Sequence, residues 1–293
     1  MKKTFLATIC LLAGMNIHAQ QIDIQPTPQQ VKAPTQSLDM NGNYQFIGTQ
    51  EANPYAVKSL TTLLGTETSE KKGLKIIIGE RSDKAIKKYG KFIPKQEEGY
   101  FIRISPKEIV LAGNDERGTF YAVQTLAQLL EEGKLPVTEI TDYPEIRFRG
   151  VVEGFYGTPW SHQARLRHLK FYGENKMNTY IYGPKDDPYH SSPNWRLPYP
   201  EQEAKQLKEL VNVAKENAVD FVWAIHPGKD IKWNQEDRDN LLNKFEKMYE
   251  LGVRSFAVFF DDISGEGTKA DKQAELLNYI DEQFVKVKKD VTP

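Results

Sequence analysis

From Phe148 onward one grammar is repeated four times: a short apolar run, a polar loop bearing glycine, then a segment with helical periodicity. Phe148 to Phe155, Thr179 to Tyr182, Asp220 to Ile225 and Ser255 to Phe260 read as strands, being short, aromatic or β-branched and mostly uncharged. Ser161 to Lys176, Glu201 to Asn217, Asn234 to Leu251 and Lys269 to Lys288 read as the helices that follow them. In the second helix Leu207, Leu210, Val211 and Ala214 share one face. Ser161 is placed to cap the first and Gly252 to close the third. Successive βα units demand a parallel sheet, because each strand reaches its neighbour only through a crossover. A closed (β/α)8 barrel takes about 250 residues. This stretch supplies little more than half of that, so an open sheet and part of a barrel both satisfy the pattern.

Upstream the rhythm differs. Gln20 to about Leu38 is rich in Gln and Pro and suits an entry segment or sheet edge. Residues 51–64 carry helical periodicity behind Pro54, Leu74 to Ile78 is a strand, and Ser82 to Lys91 is expected as a short Lys-rich helix. Tyr100 to Ile104 and Glu108 to Ala112 pair as a hairpin across Ser105-Pro-Lys107, and Thr119 to Leu130 forms an apolar helix. Strands mixed with helices give a small α+β N-terminal domain. The expected division is a leader over 1–19, the α+β domain over 20–141 and the βα domain over 142–293.

The leader reads as a secretory signal, with Lys2 and Lys3, an apolar stretch from Thr4 to Met15 and a cleavage site at Ile17-His-Ala19. It is too short to span a membrane, so export without membrane insertion follows, to the periplasm or cell exterior. Cleavage removes Cys10, the only cysteine, and with it any thiol, disulfide or thiolate ligand. Ala7-Thr-Ile9 lacks the small residue expected before a lipidated cysteine. A formal net charge of −1 leaves no electrostatic footprint for nucleic acid.

In a parallel sheet the four strand ends face one side, where α/β active sites are built. Those ends read Glu153-Gly-Phe-Tyr-Gly157, Tyr182-Gly-Pro-Lys-Asp-Asp187, His226-Pro-Gly-Lys-Asp230 and Asp261-Asp-Ile-Ser-Gly265. The adjacent carboxylates Asp261 and Asp262 need water, a partner or a chemical role, since burying an unpaired carboxylate is costly. A helix cap plus a solvated neighbour is the other reading of that pair. Gly154 admits close approach of backbone or ligand. Lys185 either serves the site or pairs with Asp186 or Asp187, which themselves read as loop-fixing. Tyr156 and Trp160 offer flat faces to a sugar ring or to packing. His226 lacks a second histidine at ligand spacing and reads as structural, while His162 and His168 are expected on an outer helix face. No Walker loop, dinucleotide fingerprint or His-Glu-x-x-His motif is present.

Val151-Val-Glu-Gly-Phe-Tyr-Gly-Thr-Pro-Trp160, Tyr180-Ile-Tyr-Gly-Pro-Lys-Asp-Asp187 and Phe259-Phe-Asp-Asp-Ile263 together resemble glycoside hydrolase family 84, the β-N-acetylglucosaminidases that include O-GlcNAcases and the bacterial enzymes once called hyaluronidases. Gly113-Asn-Asp-Glu-Arg-Gly-Thr119 is similar to the small domain preceding the barrel in secreted members. The resemblance implies an α+β N-terminal domain followed by the first half of a (β/α)8 TIM barrel. It places the acetamido-orienting aspartate on Asp261 and the general acid/base on Asp262. The sugar-contacting lysine falls on Lys185, the pocket glycine on Gly154, and Tyr156 is a pocket neighbour. Other pocket residues of the family lie on later strands.

The implied reaction is retaining removal of terminal β-linked GlcNAc, including O-GlcNAc, from glycans or glycoproteins, with no metal or cofactor. The substrate's own acetamido oxygen attacks the anomeric carbon and forms an oxazoline, so the usual carboxylate-spacing rule does not apply. Adjacent carboxyls titrate as a coupled pair, one anionic while the other holds a proton. The alternatives are another hexosaminidase family, which pairs Asp with Glu, or a non-catalytic carbohydrate-binding protein. The 293-residue chain alone is expected to be aggregation-prone and inactive, an unclosed sheet exposing its edges.

Overall fold

The structure, a computed structural model, describes residues 22–40, 42–65 and 73–291. The leader lies outside them. Eight short strands and two helices come first: β1 (Gln30–Val31), β2 (Ser37–Asp39), β3 (Tyr44–Ile47), α1 (Pro54–Leu64), β4 (Leu74–Glu80), β5 (Tyr100–Ile104), β6 (Glu108–Gly113), α2 (Glu116–Leu129), β7 (Lys134–Pro136) and β8 (Glu139–Asp142). Six of the strands form one mixed sheet in the order β1-β8-β5-β6-β4-β3. Alternation along β4, β5 and β6 sends Ile76, Ile78, Ile102 and Leu111 toward α1 and α2, where they meet Leu60, Phe120 and Leu126. Ile77, Phe101 and Val110 face the other way.

That second face accounts for one departure from the sequence reading. Ser82 to Lys91 is not a helix; only Lys87–Tyr89 makes a 3-10 turn. The segment instead drops Ile86, Tyr89 and Ile93 onto the sheet. Arg81 fixes it there, donating to the carbonyls of Gly90 (2.7 Å), Ile93 (2.7 Å) and Pro94 (2.9 Å). Burial of three apolar side chains at irregular spacing outweighs the helical propensity of the lysines. The helix expected from Thr119 starts earlier, at Glu116, because Asp115 caps it by accepting the Gly118 N–H at 2.8 Å.

The second half runs β9 (Gly150–Glu153), α3 (His162–Glu174), β10 (Thr179–Tyr182), α4 (Glu201–Glu216), β11 (Asp220–Ile225), α5 (Gln235–Glu250), β12 (Ser255–Val258) and α6 (Ala270–Ile280). The strands are parallel and ordered β12-β11-β10-β9. This is the partial-barrel arrangement of a βα domain behind an α+β domain. Ser161 and Asn234 cap α3 and α5 through the N–H groups of Ala164 (3.2 Å) and Asp237 (3.0 Å). The last helix is shorter than expected, ending at Ile280 and continuing as a wider turn over Asp281–Val285. Tyr180, Tyr182, Phe221 and Trp223 face the helices and pack with Leu169, Leu207, Leu210 and Phe245. The opposite face carries Val152, Ile181 and Val222, with Val152 53% exposed. Gly150 is required by this pleat, since a Cβ there would lie 1.6 Å from the Thr179 carbonyl oxygen of β10.

The two sheets are joined by charge. Arg117 of α2 donates to Glu98 at 2.9 Å and to Asp220, the first residue of β11, at 2.8 Å. Glu98 also accepts from Arg149 and, at 2.8 Å, from Asn178. A cavity of about 700 Å3 lies along this junction, lined by Arg117, Asp220 and Ser255 among others. It opens at the N-terminal ends of the strands, remote from the strand-end loops, and its principal charges are already paired with each other.

Candidate active site

The C-terminal ends of the four strands converge as the parallel order requires. Behind β9, Glu153 is fully buried yet satisfied: Arg165 of α3 holds it at 2.7 and 2.9 Å, the Trp160 N–H donates at 3.1 Å, and the Tyr180 hydroxyl also donates. This clamp fixes the turn from β9 into α3. Its sequence signal was a lone carboxylate in an apolar strand with an arginine twelve positions on. The loop after β10 runs back along it, with the Gly183 N–H on Glu153 O at 3.0 Å and the Lys185 N–H on Phe155 O at 3.2 Å.

Lys185 is thereby delivered to Asp261. Its side chain is 5% exposed, and its ammonium donates to Asp261 Oδ2. It pairs with neither Asp186 nor Asp187. Asp186 accepts the Gly157 N–H at 2.7 Å, while Asp187 accepts the Tyr182 and Tyr199 hydroxyls at 2.6 and 2.9 Å, so both fix loops. Burial raises the pKa of Asp261, but the hydrogen bond and charge of Lys185 outweigh it, helped by its own N–H and by His226, and hold the carboxyl below its usual range. His226 is 1% exposed and lies 2.7 Å from the Asp261 carbonyl oxygen through Nε2, a structural role for a buried histidine.

Asp262 has a φ of 53°, in the left-handed region that Asp tolerates better than most residues. Regular strand alternation would throw its side chain to the opposite face from Asp261. The left-handed turn instead brings it round to Tyr156, whose hydroxyl lies 3.2 Å from Asp262 Oδ2. Lys185 Nζ is 5.9 Å from the Tyr156 ring centroid, so both carboxylates meet one Lys185–Tyr156 pair. At Gly154 a Cβ would meet only Val152 Cγ1, at 3.2 Å, and Gly154 has no positive φ. Neither packing nor backbone conformation therefore requires glycine there. Gly183 is different: a Cβ would strike Phe259 at 2.5 Å.

Of two neighbouring readings, the one left open for Trp160 falls to packing and the one for the α3 histidines changes. Trp160 is a packing residue, edge-on to His168 at 4.5 Å and to Phe155 at 5.5 Å. His162 and His168 are not on an outer face. His162 reaches Glu209 of α4 at 2.8 Å, and the Nδ1 atoms of both rings are buried without a partner. The contact with α4 draws in His162, while His168 is covered by the Trp160 and Tyr172 rings, at 4.5 and 6.0 Å. Lys229, in the loop after β11, was not singled out from the sequence, although it stands in one of the four strand-end motifs; its Nζ lies 5.6 Å from the Tyr156 ring centroid. Among the described residues no group of three or more His, Cys, Asp or Glu could hold a metal ion, and no helix is long and apolar enough to cross a membrane.

The beta-N-acetylglucosaminidase family model matches residues 149–293, and the model for glycosyl hydrolase family 20, domain 2, matches residues 21–143. The solved structure of CpGH84B is 39% identical with a TM-score of 0.85, over 93% of this chain and 49% of that one. Protein O-GlcNAcase of Rattus norvegicus is 42% identical over 125 residues, 42% of this chain and 14% of the rat protein. A Beta-hexosaminidase of Porphyromonas gingivalis is 30% identical over 173 residues, 50% of this chain and 22% of that protein. The chain thus spans about half the length of the solved structure and less of the curated relatives it matches. An α+β domain feeding a parallel βα sheet, with carboxylates gathered at the strand ends, is the arrangement this chain presents to these comparisons. The chain belongs to glycoside hydrolase family 84.

Proposed function

We propose that the protein is an exported, retaining exo-β-N-acetylglucosaminidase, with a division near residue 142 between its N-terminal domain and its catalytic domain. It removes terminal β-linked GlcNAc, O-GlcNAc included, from glycans or glycoproteins through an oxazoline formed by the substrate's acetamido group. The observation that carries this reading is the unequal partnering of the two carboxylates: an ammonium on Asp261 and a phenol on Asp262. Asp261, held anionic by Lys185, accepts the acetamido N–H and offsets positive charge as the oxazolinium forms. Asp262 donates its proton to the leaving oxygen and then takes one from the water that opens the oxazoline. Lys185 and the open backbone at Gly154 contact sugar hydroxyls, and Tyr156 borders the pocket.

Asp262→Asn in the protein expressed from its complete gene tests the acid assignment. Substrates with poor leaving groups should lose activity by on the order of 10²-fold or more, and activated aryl N-acetylglucosaminides far less. Equal losses on both would sink it. Export is checked by locating the protein in cell fractions and reading its N-terminus, expected at Gln20; retention in the cytoplasm with Met1 in place would contradict it.

A further inference from the structure

Lys244, on α5, is 2% exposed and, among the described residues, forms no ion pair. Its ammonium instead donates to the Leu197 carbonyl, in the loop between β10 and α4, and lies 4.3 Å from the Tyr199 ring centroid. The Tyr189 and Trp223 rings stand at 5.8 and 5.9 Å. Burial lowers its pKa to about 8, and Asp187 is the charge that opposes the fall. The ammonium present at neutral pH is therefore a cost to folding that an apolar side chain would avoid. The loop has a separate anchor in Arg196, which pairs with Asp230 at 2.9 Å and Asp237 at 2.7 Å.

What Lys244 does reach is the turn that carries Lys185. The Tyr199 hydroxyl donates to Asp187 Oδ2 at 2.9 Å, beside that of Tyr182, and accepts the Trp223 indole N–H at 3.2 Å. Asp187 Oδ1 accepts the Tyr189 N–H at 2.8 Å. Tyr189 and Tyr199 thus meet Lys244 through their rings and Asp187 through their polar atoms. The Asp187 N–H closes the turn on the Pro184 carbonyl at 2.9 Å, and Lys185 leaves this turn toward Asp261. We propose that Lys244 is a positioning residue for the Lys185–Asp261 pair. From α5 it holds Tyr189 and Tyr199 on Asp187, and so sets where the Lys185 ammonium meets the Asp261 carboxylate. The inference rests on the reading of Asp261 as the anion that orients the acetamido group. A cation against the Tyr199 ring strengthens the bond its hydroxyl donates, since linked polar groups polarise one another.

The test uses the protein from its complete gene: wild type, Lys244→Met, Tyr199→Phe, Lys185→Met, and Lys185→Met combined with Lys244→Met. Each is followed by the pH profile of kcat/KM on an aryl N-acetyl-β-glucosaminide and by urea denaturation. Lys244→Met keeps an unbranched stem and should be at least as stable as the wild type at neutral pH. Its acid limb should nevertheless move up by about half a pH unit, and kcat/KM at neutral pH should fall about five- to twenty-fold. Tyr199→Phe keeps the ring beside Lys244 but cuts the bond to Asp187, and should shift the limb the same way. The double variant should match Lys185→Met alone within about two-fold, because Lys244 acts through Lys185. A Lys244→Met protein that fails to fold, or loses stability with its acid limb in place, assigns the lysine to structure and overturns the proposal. So does a limb that Tyr199→Phe leaves in place, and so do losses that multiply in the double variant. Wild-type turnover with a limb that Lys185→Met shifts and Lys244→Met does not overturns Lys244 alone. A limb unmoved by Lys185→Met, or no wild-type turnover, overturns the reading of the pair and this inference with it.

Discussion

Lys185 and Asp261 stand 76 positions apart, on loops after β10 and β12, yet their side chains form an ion pair past the end of the intervening β11. The lysine is nearly buried and the aspartate half open, with side-chain exposures of 5% and 54%. The aspartate thus holds the cation in place while remaining the more open partner of the pair.

Removing that cation should be felt in the pH profile. The Asp261 carboxyl lies below its usual range, so the ionised form dominates above the ordinary carboxylate pKa and its pairing is lost as pH falls through the lowered value. Lys185→Met should move the acid limb of kcat/KM to higher pH and lower kcat/KM at neutral pH by on the order of 10²-fold. An acid limb that stays in place would contradict the role given to the pair.

Gly154 separates folding from binding. An added methyl meets only Val152 Cγ1, at 3.2 Å, on a half-exposed side chain free to shift, so Gly154→Ala should leave the unfolding free energy from urea titration within about 0.5 kcal/mol of the wild type. On the proposed function the same methyl enters the space of the sugar, and KM should rise about ten-fold or more. A fall in stability with KM unchanged would assign the glycine to packing instead.

A third prediction concerns the N-terminal domain. Glu80, at the end of β4, is 9% exposed and accepts the Asn53 N–H at 3.1 Å. Burial raises its pKa, the Asn53 N–H opposes the rise and the neighbouring Asp83 carboxyl adds to it, leaving it at about 7. The folded state therefore binds an extra proton between 4.5 and about 7, and stability falls as pH rises through that window. Glu80→Gln should remove this slope and stabilise the protein above the window by on the order of 1 kcal/mol, partial exposure allowed for. Denaturation midpoints on either side of the window are the measurement; an unchanged slope would refute it.

Sequence periodicity located β10 and β11 to the residue, because each is an apolar run bounded by turn residues or a change of charge. It also brought Asp261, Asp262, Lys185, Gly154 and Tyr156 to one sheet end, since parallel order follows from the βα alternation. What it could not supply were partners distant along the chain. Glu153 looked like part of a site motif and is instead the buried anchor of Arg165. Arg117, at the start of α2, ties two sheets together through Asp220, 103 positions away. The Ser82 to Lys91 segment carried helical residues, but the sheet face it covers sets its shape. Such pairings depend on which surfaces meet, and local pattern contains no record of that.

The left-handed backbone at Asp262 restricts which acid can stand there. Asp and Asn populate this conformation at modest cost because their short polar side chains can bond to the nearby backbone, and longer side chains gain no such compensation. Glutamate offers the same proton chemistry but would have to adopt the turn without that help. The path of the main chain thus favours the shorter carboxylic acid at this position by a modest margin, not as a necessity, since Glu98 and Glu132 hold φ of 60° and 48° elsewhere in the same chain.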